Sequence, residues 1–334
     1  MKRLVDFIIN EKFAAGMFAI FGIGILVLGY VQLNQTFREM FEQTYANAGS
    51  ELLSIAATVL VIETLNARRA ERREKNDLIL QMGSPDNAFA REAVRRLRSR
   101  GWLNDGSLDH VDLVGADLSK AKLRETRMPR ANLTDAVLNG TILEGAMLTG
   151  STFRNATLRG CDLRHCDLNE ADLESANLQR AKLDDVDLQW ANLQGADLQG
   201  ASMRKVVLRG AEMQDVQLAG ADLQHADLYD TTLQGADLES ANLFGATLGQ
   251  VNMFGANLQN ADLHGVDLHT TYLLDVNLQG ADLHGANLQA VNLQKINLHG
   301  ANLHMAYMQG TNLQYSDLSK ANLSLAHLNG ANLL

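Results

Sequence analysis

From Leu108 to Leu333 a large apolar side chain returns at every fifth position, without insertion or deletion. The series has 46 members: 40 are Leu, five are Met (Met128, Met203, Met213, Met253, Met308) and one is Phe153. Two residues before each of them, from Val111 on, stands a small or β-branched side chain, mostly Ala. The residue between is usually Asp or Asn, as in Ala196-Asp197-Leu198-Gln199-Gly200. A period of five fits neither the alternation of a strand nor the turn of an α-helix. A repeat this short must be a fraction of a stacked coil, and four units, each one side and one corner, close a coil of about 20 residues. The Leu and the small residue then point inward, the latter small because the narrow interior has no room for a second large side chain. The position two after each Leu falls at the corner. It is Gly in 18 of 45 cases and otherwise often Asp, Asn or another polar residue, as corner turns with positive φ require. Residues 108–334 thus predict about 11 coils, a rod of roughly 50–55 Å at the usual strand spacing.

Before the repeat the pattern changes. Residues 13–33 (FAAGMFAIFGIGILVLGYVQL) carry no charge, long enough for a transmembrane helix. A signal peptide would have a shorter apolar core and a clean cleavage site. The glycines in this run, Gly16, Gly22, Gly24 and Gly29, have no preceding strand and suit close helix packing rather than a phosphate loop. A second segment, 46–65, holds an uncharged run from Leu52 to Ile62 between Glu51 and Glu63 and is expected to span as well; the alternative is a core or interfacial helix. Lys2, Arg3 and Lys12 precede the first segment, and Arg68, Arg69, Arg72, Arg73 and Lys75 follow the second, while the connection holds only Arg38. Positive charge marks the cytoplasmic side, so both termini and the repeats are expected in the cytoplasm. Residues 1–65 are therefore read as a membrane hairpin, 66–107 as a charged stalk with a capping helix, and 108–334 as the repeat domain. Ser84-Pro85-Asp86 reads as a helix start with Ser84 as the cap, and Gly101 as its stop. Phe89, Ala93, Val94 and Leu97 would pack on the first coil, and Trp102 and Leu103 would help cover it.

Composition refines this picture. The net charge is −10. Residues 108–334 carry 27 acids and 15 bases, a net of −12, against 12 acids and 14 bases in 1–107. An acidic surface makes direct nucleic-acid binding unexpected. The two cysteines, Cys161 and Cys166, make no disulfide framework and fit a reducing compartment. Both occupy the inward slot, which points to packed thiols, while His165 beside them faces out at a corner.

The unbroken A-(D/N)-L-x-x units of residues 108–334 resemble the pentapeptide-repeat family. That resemblance implies an all-β fold, a right-handed quadrilateral β-helix, here preceded by an α-helical membrane hairpin and a short cytoplasmic helix. The N-terminal part resembles membrane-anchored pentapeptide-repeat proteins of bacteria, implying an inner-membrane location. Some soluble members of the family bind a type II topoisomerase as acidic DNA mimics.

Candidate chemistry lies in the outward slots. His264, His284 and His304 stack in one column and are the candidates for a metal site; the Gln ladders in the same slot elsewhere, such as Gln194, Gln214 and Gln234, favour plain surface stacking. Phe254 and Leu274 share another column and form a small apolar patch, the leading candidate for a protein contact, together with the uncovered end at Leu334. Arg91, Arg95, Arg96 and Arg98 on the capping helix are candidates for anionic lipid contact, set against an ordinary solvated face. The Asp column Asp162, Lys182, Ser202, Asp222, Asn242, Asp262, Asp282 is interrupted, so its acids are expected to serve backbone hydrogen bonding more than DNA mimicry. No nucleophile with a base, paired carboxylates or nucleotide loop emerges, so neither catalysis nor a cofactor is expected. The expected function is that of a membrane-anchored scaffold or docking module that binds an unidentified protein and membrane lipid, with a homodimer through the C-terminal end of the β-helix as a further expectation. The alternatives are a DNA-mimic regulator of gyrase or topoisomerase, and a membrane sensor or transport accessory.

Overall fold

The computed structural model describes residues 16, 19–25 and 35–333. Most of the expected first span, 13–33, and Leu334 lie outside the described residues. The chain divides into two compact units, Met1–Asn76 and Asp77–Leu334.

In the first unit residues 19–25 are helical. They are followed by α1 (Gln35–Met82), one continuous helix of 48 residues. The helix thus begins before residue 46, where the expected second span starts, and the connection that carries Arg38 is itself helical from Gln35. Gln, Glu, Arg and Met dominate that connection, and no Pro interrupts it, so propensity carries the helix through the lone Gly49. Ala46–Met82 contains an 18-residue window with a mean hydropathy of 1.5 and is the one described helix long and apolar enough to cross a membrane. Gly22 packs closely on α1: a Cβ built there would meet the Gly49 carbonyl and the Leu52 Cβ, each at 3.4 Å. Around this contact Ile20, Phe21, Ile23, Ile55, Val61 and Ile62 are exposed.

The second unit starts within the last turns of α1, whose Leu78 and Met82 are buried. Then comes α2 (Asn87–Ser99). Its N-cap is Asp86, whose carboxylate accepts from the amides of Ala88 (2.8 Å) and Phe89 (3.3 Å). Ser84, expected in that role, instead accepts from the Asp86 amide at 3.1 Å. The shift follows from chemistry: an acceptor two residues nearer the helix reaches two free amides. Ala90, Ala93, Val94 and Leu97 form the buried stripe of α2. Phe89, expected on that stripe, is exposed, because its neighbour Ala90 holds the inward position of that turn. Gly101 ends the helix at φ +72°.

The repeats form a solenoid with a register of 20 residues, held by parallel bridges from Asp112↔Asn132 to Asn312↔Asn332. One unit shows the whole hydrogen-bond logic. Ala196 N–H donates to Leu193 O (3.0 Å), closing the corner. Asp197 N–H donates back to Ala176 O (2.9 Å), while Leu198 and Gly200 donate forward to Gln217 O (2.7 Å) and Ala219 O (3.0 Å). The remaining amide, of Gln199, has no carbonyl within reach and is taken by the Asp197 carboxylate at 3.1 Å. Every backbone donor of the unit is satisfied, and the Asp or Asn that usually fills this slot is the side chain that makes this so, as an Asx turn.

Inside, the Leu series is buried from Leu108 to Leu313, each side chain contributing roughly 1.5–3 kcal/mol relative to exposure. Polar residues in the small slot, with the exception of Thr126, return a hydrogen bond to the previous coil, as do Thr141 to Leu118 O (2.7 Å), Ser151 to Met128 O (3.0 Å), Cys161 to Leu138 O (2.9 Å) and Cys166 to Leu143 O (3.0 Å).

The N-terminal end of this core is covered by residues 77–107. Asp117 N–H donates to Ser84 O (3.0 Å) and Arg127 N–H to Leu103 O (3.1 Å), extending the ladder. Asn87 Nδ2 donates to Asp117 O (3.1 Å), Asp117 Oδ1 (3.1 Å) and Ser119 O (3.0 Å). Trp102 and Leu103 are buried in the same core. The compact units divide at Asn76/Asp77, inside the stretch read from the sequence as stalk and capping helix. The five-residue period marks where the coils start, but the core they share starts at Leu78. At the other end Leu318, Ala321, Leu323 and Leu328 are only partly buried.

Candidate functional site

Corner geometry locates the one irregular place on the solenoid. Every corner residue from His110 to Gly330 has positive φ except Thr270. A β-branched side chain is the poorest tenant of the left-handed region, and here the backbone gives way instead. The Gln250 amide, which a carbonyl one coil on would normally accept, is bonded to Thr270 Oγ1 at 3.3 Å. The inward residue after this corner, Thr271, is 7% exposed, and so is Ala246, which stands before the neighbouring corner at Gln250, whereas the same slots one coil earlier, Val251 and Ala226, are fully buried at 0%.

Beside this corner lie Phe254 (40% exposed) and Leu274 (46%), one coil apart and joined through the Gly255 N–H to Leu274 O bond of 3.0 Å. Tyr272, 67% exposed, shares the side of the coil with Leu274. Sequence reasoning passed over Tyr272, although an aromatic ring in the Asp/Asn slot is itself the signal. From Thr232 onward the outward slots of this wall are Gln234, Asn252, Phe254, Tyr272, Leu274, Asn292, Gln294, Asn312 and Gln314, with no charge among them. The earlier coils differ sharply. There arginines bridge to carboxylates of neighbouring coils: Arg154 to Asp172 (2.5 Å) and Glu174 (2.5 Å), Arg204 to Asp222 (2.5 Å), Arg209 to Asp227 (2.5 Å). Arg209 is the last Arg in the chain.

The histidine column continues a longer aromatic stack. His225 meets Phe244 edge-on at 5.6 Å between ring centroids, Phe244 meets His264 at 5.8 Å, His264 meets His284 at 4.7 Å, and His284 stacks on His304 at 5.0 Å with planes 19° apart. Rings piled face to face do not converge their nitrogens on one point, and His304 Nδ1 is engaged with Ser324 Oγ at 2.8 Å. Among the described residues no group of three or more His, Cys, Asp or Glu is arranged to hold a metal. Cys161 and Cys166 are buried and unpaired; desolvation pushes each thiol up to about 12, so neither is a nucleophile at neutral pH.

Of the four arginines singled out on α2, three share a face. Arg91, Arg95 and Arg98 line a cleft of about 420 Å³ against the first coil, where Lys120 and Lys122 oppose them; Arg96 is not part of its lining. The two lysines carried no signal in the sequence, because their place opposite α2 depends on how the helix docks. Leu334 lies outside the described residues.

Comparison with known proteins agrees with this geometry. The family model described as pentapeptide repeats (8 copies) matches in overlapping segments from residue 116 to 334. HetL, a pentapeptide repeat protein involved in heterocyst differentiation regulation from the cyanobacterium Nostoc sp. strain PCC 7120, is 30% identical over 71% of this chain and 96% of its own, with a TM-score of 0.36. Rfr23, from the cyanobacterium Cyanothece 51142, is 32% identical over 34% of this chain and 86% of its own, with a TM-score of 0.23. QnrB1, a plasmid-mediated fluoroquinolone resistance protein, is 17% identical over 65% of this chain and 92% of its own, with a TM-score of 0.27. No curated protein matches the sequence. With the family model matching well over half of its length, on the units whose hydrogen bonding is described above, the chain belongs to the pentapeptide-repeat family.

Proposed function

We propose that this protein works by binding rather than catalysis: its N-terminal helices hold it in the bacterial inner membrane, and the uncharged wall of its cytoplasmic solenoid docks a protein partner. The observation that carries the docking half is the exposed cluster of Phe254, Tyr272 and Leu274 on a wall whose outward slots from Thr232 onward carry no charge, Asp275 and Lys295 standing at its corner. Exposed aromatic and aliphatic side chains rimmed by amides suit the centre of a protein interface, where charged residues are depleted. The amides of Gln234, Asn252, Asn292 and Gln294 supply the hydrogen-bonding rim.

The membrane half is supported by the apolar window in Ala46–Met82, by the glycine-mediated contact of Gly22 with Gly49, and by the Lys and Arg bias of the flanking segments. Small residues at a helix contact and apolar side chains facing outward are what a lipid environment selects. The same charge bias supports a cytoplasmic solenoid.

Two experiments test the reading. After cell fractionation the full chain is expected in the alkali-resistant membrane pellet, with the solenoid protected from protease added outside spheroplasts; a freely soluble chain would sink the membrane half. A photo-reactive amino acid replacing Tyr272 is expected to give a discrete cross-linked partner in cells, and one replacing Gln259 on the neighbouring wall none. Equal cross-linking from both positions, or cross-linking indifferent to Phe254→Glu with Leu274→Glu, would remove the docking half.

A further inference from the structure

The cleft between α2 and the first coil gathers five cations, Arg91, Arg95, Arg98, Lys120 and Lys122, around one acid, Glu92. That acid is spent: both its oxygens bind Arg95, at 2.6 and 2.7 Å. Arg98 Nη2 donates to the Lys122 carbonyl, which fixes its guanidinium at the mouth of the cleft. Arg91, Lys120 and Lys122 have no carboxylate partner among the described residues. The spacing 91, 95, 98 places the three arginines on one helix face. The helix is held rigidly by its buried stripe and by the three Asn87 bonds to the coil. Val94 and Ala121 add apolar lining.

Elsewhere on the solenoid six arginines, Arg124, Arg127, Arg154, Arg164, Arg204 and Arg209, meet carboxylates directly. Here, on a chain with a net charge of −10, five cations gather around a single acid, Glu92, an arrangement that an anion would relieve. The volume, about 420 Å³, suits a small ligand rather than a polymer. We infer that this cleft is a binding site for a phosphate group carrying at least two negative charges, such as a phosphate monoester or a diphosphate, supplied either by a soluble phosphorylated molecule or by an anionic lipid headgroup. Arg91 and Lys122 supply free donors, and the immobilised Arg98 fixes orientation. The site is independent of the docking wall and of whether the N-terminal helices span a bilayer.

The test uses the full chain in neutral detergent, with inorganic pyrophosphate titrated by calorimetry and phosphatidic acid or phosphatidylcholine added for native mass spectrometry. Saturable binding of pyrophosphate, weakened about tenfold or more in R91Q/K122Q and unchanged in R204Q, would support a soluble phosphate ligand. Selective retention of phosphatidic acid with the same variant pattern, and no pyrophosphate binding, would assign the headgroup source. Thermal unfolding of R91Q/K122Q at the wild-type temperature shows that the fold is intact; K122R, which keeps the charge, is expected to bind normally. Absence of saturable binding by either probe, or binding that survives R91Q/K122Q, overturns the inference.

Discussion

The indole of Trp190 lies across the corner of Gly210, one coil further on: a Cβ built on Gly210 would fall 2.2 Å from the ring. Two features meet here, a positive φ of +66° at Gly210 and a large corner side chain that needs the space a missing Cβ leaves. Gly210→Ala is therefore expected to cost about 1–2 kcal/mol for the left-handed backbone and to drive the indole off the surface. The Trp190 emission should change while the Trp102 contribution stays fixed. In a Trp190→Ala background the same glycine substitution should cost less, because only the backbone contribution remains. Equal costs in both backgrounds would show that the ring does not depend on the glycine.

Side-chain ladders make a second prediction. Asn257 Nδ2 donates to Asp237 Oδ1 (3.0 Å), Asn277 to Asn257 (3.1 Å) and Asn297 to Asn277 (3.1 Å). Each Oδ1 also accepts an amide of its own turn, as Asn277 does from Gln279 (3.2 Å). An Asn passes the ladder on because it both donates and accepts; an Asp can only begin one. Asn277→Asp sets two acceptors against each other and should lower stability by about 1–2 kcal/mol. Asp237→Asn keeps its acceptor and should stay within about 0.5 kcal/mol. The introduced Asp has a raised folded pKa, so its penalty should fade as pH drops below the ordinary carboxylate range. Denaturant midpoints across pH decide the matter; a penalty that grew on acidification would refute the ladder.

These cases show which parts of the structure were legible in the sequence. The inward slots repeat one large apolar and one small or β-branched side chain because the narrow core admits little else, so the coil followed from spacing alone. The Asp/Asn slot was legible in kind, since its acceptor answers an amide that no carbonyl reaches. Tyr272 and Thr270 were not: each matters by departing from its slot, and a period draws attention to what conforms. Lys120 and Lys122 were invisible for another reason. Their meaning arises only when Arg91, Arg95 and Arg98 are placed opposite them, and the docking of α2 rests on its buried stripe and Asn87 rather than on any pattern shared with the repeats. The start of α1 at Gln35 was missed because hydropathy marks the apolar window within a helix, not the helix.

A third prediction concerns the clasp between α2 and the first coil. Partial burial tends to raise Asp117, but hydrogen bonds from Ser119 and from Asn87 outweigh it and hold its carboxyl below the ordinary 3.8. A folded pKa below the unfolded one gives stability that is present above the unfolded value and is lost as pH falls through the folded one. The α2 cap should therefore loosen below about pH 4, with Trp102, buried beneath it, reporting by fluorescence. Asp117→Asn keeps the acceptor without the titration and should flatten this acid transition. Part of it should survive, because the hydrogen bond from Arg95 also lowers Glu92. An identical acid profile in Asp117→Asn would place the transition elsewhere.

Thr270 carries the last prediction. Asn occupies regular corners at positions 155 and 260 with φ of 56° and 57°, and it tolerates the left-handed region better than a β-branched residue. Thr270→Asn should let this corner adopt positive φ and return the Gln250 amide to a backbone acceptor, as Gly235 N–H has in Phe254 O at 2.9 Å. Amide exchange at Gln250 should slow, and stability should rise by up to about 1 kcal/mol. The substitution also separates two roles for the irregular coil. If Tyr272 and Leu274 dock a partner only on the displaced backbone, Thr270→Asn will stabilise the solenoid yet weaken cross-linking from position 272. If the side chains alone suffice, cross-linking will be unchanged while exchange still slows. Exchange at Gln250 as fast as in the wild type would show that Thr270 does not cause the irregularity beside the patch.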